Sequence, residues 1–126
     1  MKKSNIIILP VIVKSLNKTL RQHWSVTTKD RNNYQFIIRS EMNKWNLKKA
    51  EAGQSFSLEI ISIRSRLLDN DNLIGGSKSL IDALARELFI WDDSPTYLKK
   101  TDYKQFKIKD SEYKESQTII KRIEYA

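Results

Sequence analysis

A chain of 126 residues, 40% hydrophobic and 30% charged, is long enough for one domain with a buried core, and its composition is globular rather than disordered. It has no cysteine and a single histidine, His23, which excludes disulfides, thiolate metal sites and a multi-histidine zinc site within one chain. The net charge of +8 is unevenly placed: residues 1–50 carry 11 basic against 2 acidic side chains, residues 51–98 carry 4 against 8, and residues 99–126 carry 8 against 5. An acidic centre between basic arms suits a polyanion brought to a cation-binding site, although an ordinary basic domain has the same totals.

The N-terminal MKKSNIIILPVIVK has lysines ahead of an apolar run, as a signal peptide does, but Pro10 interrupts the run and no small-residue cleavage site follows. A buried strand over 4–13, interrupted or ended near Pro10, is the better reading. No stretch reaches the ~20 apolar residues that span a bilayer, so no membrane association is expected. The absence of cysteine fits a cytoplasmic protein.

Residues 14–26 have no clean period and predict an ordered loop, with at most a turn of helix. Thr27 or Thr28 can cap a helix running to about Leu47, with Asp30 in its first turn favourable to the helix dipole. Tyr34, Ile37, Ile38, Met42 and Trp45 fall at helical spacing on its inner side, leaving Lys29, Arg31 and Arg39 outward. Ala52-Gly53 breaks the chain. Phe56 to Ile63 alternates as a strand buried mainly on one face. Ser77 is a suitable N-cap for a helix over 78–88 with Leu80, Ile81, Leu84 and Leu88 inward, after which Phe89, Ile90 and Trp91 are expected in the core. Strands over 96–109 and 117–125 are expected to pair as a long hairpin around the polar 110–116 segment. Trp24, Trp45 and Trp91 read as core residues.

The stretch from Leu68 to Pro95 gathers the chemistry. On an extended segment Asp69 and Asp71 would face the same way, and two adjacent carboxylates repel unless a cation sits between them or one is protonated. Hard oxygen ligands of this kind suit Mg²⁺, and Asp92 or Asp93 could return as a third. Taken by spacing alone, Asp69-Asn70-Asp71-Asn72 fits better a polar turn after a strand, the commoner use of these residues. Lys78, at a helix start where the dipole disfavours a cation, points to an anionic partner nearby or pairs with Asp82. Gly75-Gly76 could offer free backbone N–H groups to a phosphate, or serve a sharp turn. Asp82 is expected to be structural, pairing with Lys78 or Arg86. His23 fits a structural hydrogen bond or a phosphate contact.

These residues carry a likeness. Asp69-Asn70-Asp71-Asn72-Leu73, Lys78 at a helix start, Asp82-Ala83-Leu84 and Trp91-Asp92-Asp93 together resemble the RusA family of Holliday junction resolvases. Leu9-Pro10, Ser15, Asn17, Arg21, His23 and Trp24 are similar to that family's N-terminal loop. The segment between the acidic pairs is longer here than in the family's best-known member, with Ile74-Gly75-Gly76 carrying the difference.

The resemblance implies a single RusA-like domain over 1–126, of the kind often encoded by prophages. Its expected fold is α+β, a mixed or antiparallel sheet with two principal helices, assembled as a homodimer. The implied activity is Mg²⁺-dependent endonuclease cleavage of four-way DNA junctions by symmetric nicking, in DNA recombination and repair. Asp69, Asp71 and Asp93 would hold the metal, with Asp92 the weaker candidate, and Lys78 would sit beside the scissile phosphate. Asn17, Lys18, Arg21, His23, Lys29, Arg31, Arg64 and Arg66 are the expected nucleic-acid contacts. A DNA-binding protein of the same fold without turnover, or a nuclease for other branched or single-stranded nucleic acid, would use the same residues.

Overall fold

The computed structural model describes residues 5–125. Its elements run β1 (Ile6–Leu9), α1 (Leu16–Arg21), α2 (Trp24–Lys44), β2 (Phe56–Arg64), α3 (Asn70–Gly76), α4 (Lys78–Arg86), β3 (Leu98–Lys107) and β4 (Gln117–Glu124). The four strands form one mixed sheet in the order β1-β4-β2-β3. β4 is antiparallel to both β1 and β2, and β3 is parallel to β2. The expected α+β class with a mixed sheet is therefore observed, and α2 and α4 are its longest helices. The strand expected over 4–13 is confined to Ile6–Leu9, and its first residue, Ser4, lies outside the described residues.

The expected hairpin between the last two strands does not form, because β2 lies between them. The reason is composition. β2 supplies Phe56, Leu58, Ile60 and Ile63 to the buried set and takes the centre, where both of its edges are paired. β3 exposes Lys99, Lys100, Asp102 and Lys104, charges that suit an edge and discourage pairing with another chain. A parallel partner needs a crossover, and α3 with α4 provides it.

One face of the sheet carries the core. Ile7, Leu9, Phe56, Leu58, Ile60 and Ile120 meet Tyr34, Ile38 and Met42 of α2 and Leu80, Ala83 and Leu84 of α4. Burial, with the nearby Asp30 charge adding to it, pushes the Tyr34 hydroxyl up to about 12. Phe89 and Ile90 are buried as expected, and Trp91 packs partly against the cluster. Two expected core residues are not there. Trp24 is 73% exposed and Trp45 51% exposed, because each stands at an end of α2, beyond the part that crosses the sheet.

Two arginines lie inside. Arg122 donates to Asn5 Oδ1 and to the carbonyls of Phe89 and Lys48, and its guanidinium lies 4.7 Å from the Phe89 ring centre. Arg64 donates to the carbonyls of Val13 (2.9 Å) and Arg66 (2.8 Å). Burial lowers the pKa of both.

Helix α2 starts three residues before Thr27. His23 is its cap: Nδ1 accepts from the Ser25 backbone N–H at 3.2 Å, filling the role an Asp or Asn side chain usually has. Asp30 consequently lies beyond the first turn, where it binds Lys14 at 2.7 Å. The segment 14–26, expected as a loop, contains α1, capped by Ser15.

Candidate functional site

The chain leaves β2 at Arg64 and enters the acidic motif, which is helical rather than extended. Asp69 is the N-cap of α3, its side chain accepting from the Asn72 backbone N–H at 2.9 Å. Asp71 is in the first turn, where a carboxylate favours the dipole. The same-face argument for the two carboxylates rested on an extended backbone and does not hold here, since residues two apart on a helix point away from one another. Asn72 also clasps both Asp69 oxygens through Nδ2, at 3.1 and 3.0 Å, and accepts the Asn17 backbone N–H at 3.0 Å. That single asparagine ties the basic N-terminal segment to the acidic motif.

Gly75 and Gly76 do not form a turn. They are the last residues of α3, so their N–H groups are not presented as a phosphate loop. They are small because α3 is crowded: a Cβ on Gly76 would lie 1.8 Å from the Lys14 carbonyl oxygen, and one on Gly75 2.7 Å from Leu16 Cδ2. Ser77 joins α3 to α4 as the boundary residue of both, and its hydroxyl donates back to the Leu73 carbonyl at 2.8 Å instead of capping α4.

Lys78 opens α4 and is exposed. It shares an open groove of about 660 Å³ with Arg31, Ser79, Asp82, Asp93 and the start of β3 at Leu98–Thr101. Asp82 is structural, as expected, bonded by Arg86 at 3.0 Å and approached by Arg31 at 3.7 Å rather than by Lys78. Arg31 Nε is buried without a partner among the described residues. Lys78 and Asp93, fifteen positions apart in sequence, are thus brought to one surface.

Asp69 and Asp71 are not brought to the same place. Leu68 is clamped by the Gln105 amide, its N–H donating to Oε1 at 3.0 Å, whereas the groove reaches β3 only as far as Thr101. Four residues of strand between these points correspond to about 13 Å. Among the described residues no three His, Asp or Glu side chains gather as a metal-holding group. The oxygen chemistry suits Mg²⁺, but Asp69, Asp71 and Asp93 as placed do not form one ligand set. Asp69, Asp71, Asp92 and Asp93 make no salt bridge among the described residues, whereas Asp30, Glu51, Glu59, Asp82, Glu87 and Asp102 each face a lysine or arginine.

Of the expected nucleic-acid contacts, Asn17, Lys18, Arg21, His23, Lys29 and Arg66 are exposed and Arg31 lines the groove. Arg64 is the exception, buried and held by two carbonyls, which removes it from the surface a phosphate would meet. Its place in sequence, between an alternating strand and an acidic motif, gave no sign of that. Sequence reasoning also missed Lys99 and Lys100 as groove residues, since the crossover that brings β3 beside α4 is a long-range feature. No protein-family model and no curated protein matches this chain.

Proposed function

We propose that this protein is a Mg²⁺-dependent endonuclease acting on branched DNA, with the four-way junction as its substrate class. The observation that supports this most is the groove shared by Lys78, Arg31 and Asp93, in which motif residues of opposite charge from separate elements line one surface open to a phosphate backbone. Lys78 and Arg31 bind and orient the phosphate, and the basic α1–α2 region grips the flanking strand. Since Asp69 and Asp71 stand apart from Asp93, cutting requires that substrate or a second protomer draw the two acidic regions together. No chemical step is assigned to the metal on the present geometry.

The same separation favours a second reading, in which the protein binds branched DNA without cutting it. One assay separates the two. The protein is incubated with labelled junction, linear duplex and single strand, in Mg²⁺ and in chelator. Paired nicks confined to the junction in Mg²⁺ support the nuclease; tight junction binding with no product in Mg²⁺ or Mn²⁺ supports the binder. Asp69→Asn is the informative variant, because Asn retains the helix cap while removing the charge. Its loss of cutting with unchanged thermal stability implicates the carboxylate; full activity dismisses it.

A homodimer is part of the proposal, and the sheet offers a surface for it. The face away from the helices carries Ile8, Ile119 and Ile61 side by side, with Phe106 in the next row and Ile123 beyond, while Ile63 on that face is already buried. With strands of 4, 9, 10 and 8 residues, the sheet face is at most about 500 Å², below the ~800 Å² per partner of a stable interface, so flanking loops would have to join it. Sedimentation of the wild type against Ile119→Lys tests it: a dimer that the variant splits is expected, and a wild-type monomer at micromolar concentration removes it.

A further inference from the structure

We infer that Trp24 is a stacking platform for an unpaired nucleobase, at a site separate from the acidic groove. Trp24 is 73% exposed, at the first position of α2, and Leu20, across the α1–α2 corner, is 72% exposed. Single exposed apolar residues are ordinary, but this corner is built. His23 is fixed by Ser25, with Nδ1 2.8 Å from Oγ and accepting the backbone N–H, and its ring lies 5.2 Å from the indole at 38°. Gln22 ties the corner to Thr27 (3.0 Å) and Asp30 (3.1 Å), and Lys14 holds both Gln22 and Asp30. The indole therefore projects from a braced junction rather than from a loose loop.

Charge identifies the occupant. Lys18 and Arg21 of α1 and Lys29 of α2 are exposed on the two helices that meet at the corner, and Asp30, the one acid among residues 1–40, is neutralised by Lys14 at 2.7 Å. An aromatic face beside exposed cations fits a polyanion that carries flat rings. Stacking on a side-chain ring needs a base released from pairing, since a base inside a duplex already stacks on its neighbours. The occupant is thus a single-stranded nucleic-acid segment, its base on Trp24 and its flanking phosphates on Lys18, Arg21 and Lys29. With the acceptor role of His23 taken by Nδ1, the Nε2 proton is left to donate to a phosphate or base edge. The inference rests on the proposal that the chain handles DNA, but not on its cutting DNA.

The test is binding of a labelled oligothymidylate of about twelve nucleotides, with chelator present so that cleavage cannot enter. Trp24→Ala is expected to weaken binding roughly ten- to a hundredfold, and Trp24→Phe to retain most of it. The slope of affinity against salt stays unchanged in both, because the phosphate contacts remain, whereas Lys18→Ala with Arg21→Ala lowers it. Tryptophan fluorescence should be quenched by the oligonucleotide in the wild type and much less in Trp24→Phe. Exposure of the side chain means Trp24→Ala folds, which its unfolding midpoint checks. Unchanged oligonucleotide affinity in Trp24→Ala overturns the inference and leaves the nuclease proposal standing. So does a variant whose only defect is in self-association or in binding anionic lipid vesicles. A wild type that binds neither oligothymidylate, duplex nor junction at low salt overturns both.

Discussion

Two sets of positive charges in this chain behave in opposite ways. Arg64 and Arg122 lie inside, each holding main-chain carbonyls of distant segments, while Lys18, Arg21, Lys29 and Lys78 stand exposed and make no salt bridge among the described residues. The interior pair ties separate segments together: Arg122 joins the segment after α2 to the segment after α4, and Arg64 fixes the segment between β1 and α1. A net charge of +8 therefore overstates the charge available to a partner. What an arginine can do depends on whether its donors are already occupied.

The contrast is broken most severely at Arg122. Arg122→Ala leaves the carbonyls of Phe89 and Lys48 without their donor and empties a buried volume, so a loss of about 3–5 kcal/mol is expected in denaturant unfolding. A loss below about 1 kcal/mol would make this arginine a surface residue in effect. Gly76→Ala comes next. The added methyl meets the Lys14 carbonyl, a backbone atom that cannot swing aside, one residue from the carbonyl that Arg64 holds, and about 2–4 kcal/mol is expected. Gly75→Ala, facing only the Leu16 side chain, should cost clearly less, and equal losses would refute the distinction.

The exposed population should respond in the other direction. Lys18→Ala with Arg21→Ala should change stability by no more than about 0.5 kcal/mol while lowering DNA affinity and its salt slope. The smallest expected effect is at the Arg39–Glu87 pair. Arg39, with Gln35 assisting, holds the Glu87 carboxyl below its ordinary value. Its stabilisation is present above the unfolded carboxylate pKa of about 4.5 and is lost as pH falls through the lower folded value. Glu87→Gln should flatten the fall of the unfolding midpoint on the acid side of pH ~4.5; an unchanged acid profile would show that the pair carries nothing.

The sequence was most legible where a local period decides the outcome. Tyr34, Ile38 and Met42 lie on the buried side of α2, and Leu80 and Leu84 on that of α4, as their spacing predicts. It was least legible where one segment's structure depends on another. The glycines of α3 look like a turn until residues 14–16 are laid across them, and the strands flanking 110–116 look like a hairpin until β2 competes for the central position. His23 was overlooked as a cap because Thr27 and Thr28 carry the usual side chains for that role. For the site, Lys78 and Asp93 were legible as partners of one surface, while the helical setting of Asp69 and Asp71 was hidden by the β-like alternation of acids and amides.

The placement of β4 between β1 and β2 has a consequence for how the molecule comes into being. The strand nearest the start of the chain has, among the described residues, its only sheet partner more than a hundred residues away, in register from Ile6 with Lys121 to Leu9 with Thr118. Such distant pairing makes for slow folding, because the loop must close before any contact rewards it. During synthesis, β1 has no sheet neighbour and the Phe89 and Lys48 carbonyls wait for their arginine until residues 117–124 have left the ribosome. The last strand acts as the keystone of the sheet, and a nascent chain halted before it would leave the facing edges of β1 and β2 unpaired.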